Sequence, residues 1–367
     1  MPERALSAIV LAAGEGTRMR SSRPKPLHLL CGRPMLRYVV DALSDCAVDR
    51  VVLVVGHGAE RVTEKLQSEK NDELLEFVEQ HVQRGTGDAA GVGLTAFPDD
   101  LADDDDDVLV LPGDTPLLRP STVAELVRTH RESGAACTLL SARIDDPTGY
   151  GRIVRDKDGR VARVVEEADA SDDERAIDEV NTSIYCFRRG VIAPALRRLS
   201  PENAQGEYYL TDVVEVLHDA GYPVTAVVAD DPAETQGVND RVQLAAAEAE
   251  LRRRTNRHWQ RQGVTMVDPA STYIDTTVRL APDVTLFPGT MLQGHTVVDE
   301  RAEIGPNTRL VDCVVRPDAV VEDTTARQAT IGAGARVGPY ASLHDGAAIA
   351  PGTVTGPFYT AGGLDEG

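Results

Sequence analysis

An aliphatic residue recurs at every sixth position in the last third of the chain. The series keeps strict register over its first seven members, continues after a one-residue slip and resumes after a gap: Ile274, Leu280, Leu286, Leu292, Val298, Ile304 and Leu310, then Val315 and Val321, then Ile331, Val337, Leu343 and Ile349. Period six fits neither an amphipathic helix nor a simple hairpin. It is typical of β-helices, whose stacked coils bury one aliphatic residue per side.

The first two thirds of the chain alternate short apolar runs with amphipathic stretches. The expected strands are AIVLAA, VVLVVG, VLVLPGD, ACTLLSA and SIYCF, and the expected helices include PMLRYVVDAL, STVAELVRTHRE and YYLTDVVEVLHDA. Apolar strands separated by helices predict a mostly parallel sheet covered on both faces, with ligands beyond the carboxyl ends of its strands. We predict a domain over residues 1–237, a linker helix over 238–262, a β-helix over 263–355 and a flexible tail over 356–367.

The chain is strongly acidic, with a formal net charge of -21 at pH 7. Nucleic-acid-binding proteins normally carry a basic surface, so this balance argues against a nucleic-acid partner. Part of the excess is a continuous acidic run, Asp103–Asp107. We expect a solvated loop there, because neighbouring like charges repel and stay hydrated, and a metal site is the less favoured alternative.

Neither the cysteines nor the hydropathy point to an exported or membrane protein. The five cysteines are odd in number, scattered and without a Cys-x-x-Cys pair, which fits reduced thiols in the cytoplasm. The opening run SAIVLAAG has no basic segment before it and leads into a charged turn, so we expect a buried strand and not a signal peptide. No apolar stretch approaches the length of a membrane span.

A glycine-rich stretch after the first expected strand, LAAGEGTRMRSSRPKPLH, is the first candidate site. It lacks the Lys-Ser/Thr pair of a P-loop and the third glycine of a dinucleotide-binding loop. Gly14 and Gly16 free the backbone amides to bind a phosphate, to which a following helix would add its positive end. Arg18 and Lys25 supply positive charge. The alternative is an ordinary strand–loop–helix turn with surface cations.

Other polar residues follow the later expected strands. Asp114 comes directly after VLVLPG, where a carboxylate beside bound phosphates suits Mg²⁺; a turn or N-cap aspartate is the alternative. The glycine turn TGYGRIV, with Glu166 and Asn181, offers close backbone approach and hydrogen bonds to sugar hydroxyls and amides. Each residue alone is as compatible with a loop glycine, a surface acid or a capping amide. Asn239, at the start of the expected linker helix, has the ordinary alternative of an N-cap.

Taken in order, these segments resemble a known family. The motifs are LAAGEGTRMRSSRPKPLH, QRGTGDA, LPGDTPLL, TGYGRIV, VNTSIY, NAQGEYYLTD and GVNDR, followed by GVTMVDPASTYID at the entry to the hexapeptide region. They resemble bacterial bifunctional enzymes that join an N-acetylglucosamine-1-phosphate uridyltransferase to a glucosamine-1-phosphate acetyltransferase. The first motif is shared by sugar nucleotidyltransferases in general, whereas NAQGEYYLTD and TGYGRI narrow the resemblance to this branch.

The resemblance implies an α/β fold, with a Rossmann-like nucleotidyltransferase domain, a linker helix and a short left-handed parallel β-helix. It implies condensation of UTP with N-acetylglucosamine 1-phosphate to UDP-N-acetylglucosamine and pyrophosphate, a Mg²⁺-dependent step of peptidoglycan synthesis. The implied assembly is a cytoplasmic homotrimer.

The resemblance also implies a role for each matching residue. The nucleotide pocket would be lined by Leu11, Ala12, Ala13 and Gly14, and the triphosphate would be faced by Arg18 and Lys25. The uracil would be contacted by Gln80, Gly85 and Thr86, with Gln83 close enough to exchange roles with Gln80. The substrates would also contact Gly113 and Asp114; the amino sugar would be held by Gly151, Glu166 and Asn181; and Mg²⁺ would be bound by Asp114 and Asn239.

Two departures from the family pattern stand out. Asp88 occupies a position where the family usually has His, just beyond the GTG that would contact the base. His344, in LHDG, stands where the family has an Arg that binds phosphate. The coils that carry the family's acetyltransferase site are not in this sequence, so we expect no acetyl transfer, and we expect His344 and His295 to be solvated turn residues.

Two other functions remain open at this stage. The same reaction could use another sugar 1-phosphate or dTTP. A catalytically silent copy could bind a nucleotide sugar as a regulatory subunit, although the presence together of Lys25, Asp114 and Asn239 argues against it.

Overall fold

A computed structural model describes residues 4–67, 74–97 and 105–362 of the chain. The chain divides into two compact units, of which the first comprises Met1–His28 and Pro34–Leu244 and the second Leu29–Arg33 and Ala245–Gly367. The boundary therefore lies inside the expected linker helix and not at its start. The short segment Leu29–Arg33 belongs to the second unit because Cys31 is bonded there: its amide donates to Glu248 (2.8 Å) and its carbonyl accepts from the amide of Thr276 (3.1 Å).

The strands and helices up to residue 261 are as follows. The strands are β1 (Leu6–Ala12), β2 (Leu29–Leu30), β3 (Arg33–Pro34), β4 (Arg50–Val55), β5 (Leu75–Glu79), β6 (Asp107–Pro112), β7 (Cys137–Arg143), β8 (Arg152–Arg155), β9 (Val161–Val165), β10 (Glu179–Arg188) and β11 (Val224–Val228). The helices are α1 (Met35–Asp41), α2 (Ala59–Gln67), α3 (Thr86–Leu94), α4 (Pro120–Ser133), α5 (Asp172–Arg175), α6 (Arg189–Leu196), α7 (Asp212–Asp219) and α8 (Arg241–Arg261).

The first unit is built on a mixed, mostly parallel sheet, as the sequence predicts. Its main order is β11-β7-β10-β6-β1-β4-β5, with β8 pairing with β10 and β9 at one side. Strand β1 pairs in parallel with β4 and with β6, and β4 pairs in parallel with β5. Strand β10 runs antiparallel to both β6 and β7. Alternate residues of β1 face opposite layers of helices: Ile9 packs with α3, α6 and α7, whereas Ala8 and Val10 pack with α1, α2 and α4.

The register of the central strands positions the candidate site. Leu11 of β1 lies opposite Pro112 of β6, so both strands end at the same edge of the sheet. The glycine-rich loop and the Gly113-Asp114 turn follow directly, and the amide of Gly113 donates to the carbonyl of Leu11 (2.8 Å). Two segments separated by about a hundred residues of sequence thus meet at the carboxyl edge, where ligands of parallel sheets bind.

The prediction of a solvated loop over the acidic run is wrong for its last residue, Asp107. Asp107 begins β6 and is 1% exposed. Its carboxylate accepts from Nε of Arg131 (2.7 Å) and lies 3.4 Å from Nε2 of the fully buried His130. Burial alone would raise the pKa of Asp107, but the hydrogen bonds from His130 and Arg131 outweigh burial and lower it. Asp105 is exposed, and Asp103 and Asp104 lie outside the described residues.

The second unit is a stack of short parallel strands. They are β12 (Thr265–Met266), β13 (Tyr273–Ile274), β14 (Arg279–Leu280), β15 (Thr285–Leu286), β16 (Met291–Gln293), β17 (Val297–Val298), β18 (Glu303–Ile304), β19 (Arg309–Val311), β20 (Val314–Val315), β21 (Val320–Val321), β22 (Thr325–Arg327), β23 (Thr330–Ile331), β24 (Arg336–Val337), β25 (Ser342–Leu343), β26 (Ala348–Ile349) and β27 (Thr360–Ala361). They form three parallel sheets, in which each strand pairs with one a full coil away. This arrangement confirms the predicted β-helix.

The residues of the six-residue series form the core of the β-helix. All thirteen are buried, and each lies in a strand. The gap between Val321 and Ile331 is filled by Ala326, which is fully buried and which the sequence pattern missed because alanine is not a large aliphatic residue. Coil length varies: Leu286 pairs with Ile304, 18 residues later, whereas Leu310 pairs with Ala326, 16 residues later.

Strand pairing continues past the expected end of the β-helix at residue 355. Thr360 and Ala361 pair with Ser342 and Leu343. The amide of Ser342 donates to the carbonyl of Tyr359 (2.8 Å), which holds this segment on the preceding coil. Across the three described ranges, no helix is both long enough and apolar enough to cross a membrane.

Replacing Ile304 with alanine should destabilise the second unit by about 3 kcal/mol, because Ile304 is fully buried and its coil neighbours cannot close the cavity. Trp259 is the single tryptophan and packs against this core, so its fluorescence during urea unfolding reports the change. Glu303→Ala, on the exposed side of the same strand, is the control and should stay within about 0.5 kcal/mol of the parent. Equal effects of the two substitutions would contradict the packing described.

Candidate active site

One cavity of about 690 Å³ opens at the carboxyl edge of the sheet in the first unit. The residues to which the resemblance assigns a role all line it: Leu11, Ala12, Ala13, Gly14, Arg18, Lys25, Gln80, Gly85, Thr86, Gly113, Asp114, Gly151, Glu166, Asn181 and Asn239; Gly16 is not among the lining residues. These residues come from seven segments of the chain. The fold brings these segments together at one cavity, and no single segment would form it alone.

The glycine-rich loop brings Lys25 to the cavity. Gly16 has a φ of 64°, and a Cβ on it would lie 2.7 Å from Cβ of Lys25. Glycine is therefore required at this position both for the backbone conformation and for the close approach of the lysine. A Cβ on Gly14 would meet no atom within 4 Å, so the backbone there is open to a ligand.

The prediction that a helix follows this loop is wrong. The chain forms a single 3₁₀ turn over Thr17–Met19, followed by Arg20 in a left-handed conformation, before a second short turn at Lys25–Leu27. Three residues make too short a helix to provide a substantial dipole. Positive charge at this end of the cavity therefore comes from Arg18, which is exposed, and from Lys25.

Lys25 joins two segments that are distant in sequence. Its ammonium donates to Oδ2 of Asp114 in a very short contact and to Oδ1 of Asn239 at 2.8 Å. The side chains of Lys25 and Asp114 are largely buried, with 13% and 23% of their surface exposed. The carboxylate and the amide oxygen therefore converge on one cation, which in this structure is the ammonium group of Lys25.

Asn239 is not the N-cap of α8. The side chain of Asp240 performs that role by accepting from the amide of Gln243 (2.8 Å). The amide of Asn239 donates to the side chain of Gln243 (2.7 Å), and the neighbouring Val238 donates to the carbonyl of Asp114 (2.8 Å). These contacts fix Asn239 beside Asp114 and leave its side-chain oxygen for the cation.

A second end of the cavity is formed by the start of α3 and the segment before it. Gly85 has a φ of 109°, and a Cβ there would lie 2.6 Å from the carbonyl of Tyr208, so only glycine fits. Thr86 accepts from the amide of Leu210 (3.0 Å). Gln80 is 4% exposed, and Gln83 donates to the carbonyl of Ala13 (2.6 Å). The two glutamines are therefore held differently: Gln83 braces the loop, whereas Gln80 is buried in the wall.

A third part of the cavity wall lies at the bulge in β10. The pairing with β7 shifts between Asn181 and Ile184, and Ser183 has a φ of 61°. Asn181 is 4% exposed; its amide nitrogen donates to the hydroxyl of Tyr185 (2.8 Å), and its carbonyl oxygen is buried with no partner among the described residues. A buried oxygen of this kind costs stability unless something donates to it, so it is a candidate position for a hydrogen-bond donor of a ligand.

Glu166 lines the same cavity as Asn181. Glu166 accepts from the hydroxyl of Thr211 (2.9 Å), and a Cβ on Gly151 would lie 3.4 Å from Oε2 of Glu166. Burial raises the pKa of Glu166. Burial, with the nearby carboxylates of Glu215 and Glu166, raises the pKa of Asp212 to about 6. This end of the cavity can thus accept hydrogen bonds from hydroxyl and N–H groups.

The residues that could hold a metal fit Mg²⁺ better than a transition metal. No group of three or more His, Cys, Asp or Glu side chains suited to a metal occurs among the residues that the structure describes. Asp114 and Asn239 offer two oxygen atoms that already share one cation. Oxygen ligands few in number, completed by substrate phosphates and water, are the usual set for Mg²⁺.

The sequence analysis missed several residues of the cavity wall. Tyr185, Tyr209 and Gln243 line it, with Thr148, Tyr150 and Ser183 at its rim. Tyr185 is fully buried in a strand that reads as plain core, so its sequence gave no polar signal. Tyr209 lies inside the motif NAQGEYYLTD, so that motif could have identified it.

Comparison with known proteins places the chain in a family. Residues 8–205 match the model of the MobA-like NTP transferase domain. The chain is 47% identical over 329 residues to the Bifunctional protein GlmU of Thermobifida fusca (strain YX), which covers 90% of this chain and 68% of the relative. It is 44% identical over 351 residues to the Bifunctional protein GlmU of Exiguobacterium sibiricum, covering 96% and 76%.

A third relative, the Bifunctional protein GlmU of Bifidobacterium longum subsp. infantis, is 45% identical over 340 residues, or 93% of this chain and 73% of the relative. The matches run through both units of the fold and confirm the resemblance drawn from the motifs. The cavity thus belongs to a nucleotidyltransferase, and the chain is a member of the GlmU family that carries a MobA-like NTP transferase domain.

Proposed function

We propose that the chain condenses UTP with N-acetylglucosamine 1-phosphate to give UDP-N-acetylglucosamine and pyrophosphate. The proposal rests on one cavity that combines three kinds of contact. These are the ammonium group of Lys25, the buried side-chain amide of Gln80 and the buried, unpartnered carbonyl oxygen of Asn181. These suit phosphates, a nucleobase and a sugar amide or hydroxyl respectively. The match of residues 8–205 to the MobA-like NTP transferase domain supports a nucleotidyl transfer.

The reaction needs no base from the protein. A sugar 1-phosphate has a second pKa of about 6, so at neutral pH its oxygen is largely ionised and can attack directly. One sugar-phosphate oxygen forms a bond to the α-phosphorus of UTP, the bond from that phosphorus to the β-phosphate oxygen breaks, and pyrophosphate leaves with the electron pair.

The main obstacle is repulsion between the two anionic substrates. Lys25 and Arg18 lie at the loop end of the cavity and can offset the negative charge that accumulates in the transition state. Asp114 and Asn239 would hold Mg²⁺, which when bound neutralises charge on phosphate oxygens. Lys25 contacts the same two oxygens, so its ammonium group also brings positive charge to this position.

The sugar end of the cavity supports an N-acetylated amino sugar. The buried carbonyl oxygen of Asn181 can accept from the N–H of an acetamido group, and Glu166 can accept from a hydroxyl. A sugar that lacks the amide would leave the Asn181 oxygen buried and unpaired. That loss costs about 1–3 kcal/mol, or roughly 5- to 150-fold in binding.

The proposal is tested by pyrophosphate release from a panel of nucleoside triphosphates and sugar 1-phosphates in the presence of Mg²⁺. We expect the highest kcat/KM for UTP with N-acetylglucosamine 1-phosphate, and at least about fivefold less for glucose 1-phosphate. Preference for dTTP or for another sugar would replace the substrate assignment. No release from any pair, by a folded protein, would favour a silent nucleotide-sugar-binding subunit.

We propose further that this chain performs no acetyl transfer. His344 stands where the resemblance places a phosphate-binding arginine, and its ring lies 3.5 Å from the hydroxyl of Ser342, a neutral partner. His295 is exposed at a corner of the β-helix. Incubation with glucosamine 1-phosphate and acetyl-CoA should release no free CoA thiol.

We also propose a cytoplasmic homotrimer assembled through the β-helix. The compartment is supported by five cysteines that form no disulfide, four of them buried. The assembly is supported by membership of the family alone. Sedimentation of the purified chain should give a mass near three times 39.4 kDa, and a monomer would contradict the assembly while leaving the reaction untouched.

A further inference from the structure

The side chain of Asp88 makes a contact in the wall of the cavity that bears on which nucleobase the site accepts. Gln80 is 4% exposed, and its amide nitrogen donates to Oδ2 of Asp88 at 2.8 Å and weakly to the carbonyl of Gly85 at 3.4 Å. Both partners are acceptors only, because a carboxylate and a backbone carbonyl have no hydrogen to donate. The amide of Gln80 must therefore point its nitrogen, and not its oxygen, toward Asp88 and Gly85.

Asp88 is itself held in place. Its other oxygen, Oδ1, lies 3.6 Å from Nε of Arg84, and its side chain is only 20% exposed. It belongs to the first turn of α3, where a negative charge is favourable. A reversed Gln80 amide would place its oxygen against this carboxylate and the Gly85 carbonyl, replacing a charge-assisted hydrogen bond with repulsion between oxygens.

We propose that Asp88 is a positioning residue that makes the site selective for a pyrimidine carrying N3–H. With its nitrogen bonded to Asp88, Gln80 presents its carbonyl oxygen to the ligand, and no described residue donates to that oxygen. Uracil and thymine carry a hydrogen on N3 that this oxygen can accept. Cytosine carries a lone pair on N3, which would face the oxygen and be repelled. The inference deepens the proposed function and rests on it.

Asp88→Asn tests the proposal with almost no change in shape. The asparagine amide can accept from Gln80 through its oxygen or donate to Gln80 through its nitrogen, so both orientations of Gln80 become possible. We expect the ratio of kcat/KM for UTP to that for CTP to fall at least about tenfold, largely through a gain with CTP. Direct titration with UTP and CTP should show the same change in binding.

Three further variants separate positioning from charge or packing. Glu79→Gln removes the same charge one residue from Gln80, at an exposed side chain, and should leave the ratio unchanged. Asp88→Glu keeps an acceptor-only group and should retain most of the selectivity. Asp88→Ser, which can donate or accept, replaces Asp88→Asn if that variant does not fold, and it should also lose selectivity.

The outcomes distinguish this inference from the proposed function. If the parent protein prefers UTP and Asp88→Asn loses activity equally with UTP and CTP, Asp88 serves only the packing of α3 and the inference is overturned. An unchanged ratio overturns it too. If the parent protein does not prefer UTP to CTP, the nucleotide assignment itself fails before any variant is made.

Discussion

Lys25→Ala is expected to lower kcat by about 10²- to 10³-fold while the protein stays folded, because it removes the ammonium group held at the junction of the loop, Asp114 and Asn239. Steady-state pyrophosphate release measures the loss, and circular dichroism with a urea midpoint checks the fold. The fold should survive because Asp114 is partly exposed and remains hydrated.

Arg23→Ala is the matched control for this substitution. It removes the same charge two residues away, from an exposed side chain that does not line the cavity. We expect its kcat to remain within about twofold of the parent, as for a surface charge screened by solvent. Near-normal turnover of Lys25→Ala, or an equal loss in both variants, would remove Lys25 from the mechanism.

Asp107→Asn is expected to cost about 3 kcal/mol of folding free energy. The substitution takes the carboxylate away from Arg131 and from the buried ring of His130, so an ion pair and a buried polar contact are lost. Urea unfolding at neutral pH measures the change. Asp105→Asn, exposed two residues earlier, should change stability by less than about 0.5 kcal/mol.

The stability contributed by Asp107 should depend on pH in a defined direction. Its pKa is lowered in the folded protein, so its contribution is fully present above the ordinary carboxyl pKa of about 3.9 and is lost as the pH falls through the lower, folded value. The difference between the parent and Asp107→Asn should therefore be constant near neutrality and shrink below about pH 4. A difference that grows in acid would contradict the ion-pair account.

The fold was largely predictable because its signals are local and repeated. Six-residue spacing identifies the core of the β-helix directly, and only the coil with the small residue Ala326 is interrupted. Asp107 was not predictable, because its burial depends on Arg131 and His130, which lie in a helix over twenty residues away. Charge repulsion along the run takes no account of partners such as these.

The residues that line the cavity could be predicted from the sequence, but the hydrogen bonds between them could not. The motifs identify the residues that line the cavity, but they do not show that Asp240 caps α8 and leaves Asn239 for Lys25. They identify Asp88 as a departure without indicating that it bonds Gln80. Contacts of this kind depend on side-chain orientation across segments that are far apart in sequence.

The proposed reaction requires that a sugar-phosphate oxygen attacks the α-phosphorus of UTP in this cavity. It is tested most directly with N-acetylglucosamine 1-phosphate carrying ¹⁸O in its phosphate group, incubated with UTP, Mg²⁺ and the purified chain. Mass spectrometry should find all of the label in UDP-N-acetylglucosamine and none in the pyrophosphate. Label in the pyrophosphate, or no UDP-sugar formed by a folded protein, would contradict the account.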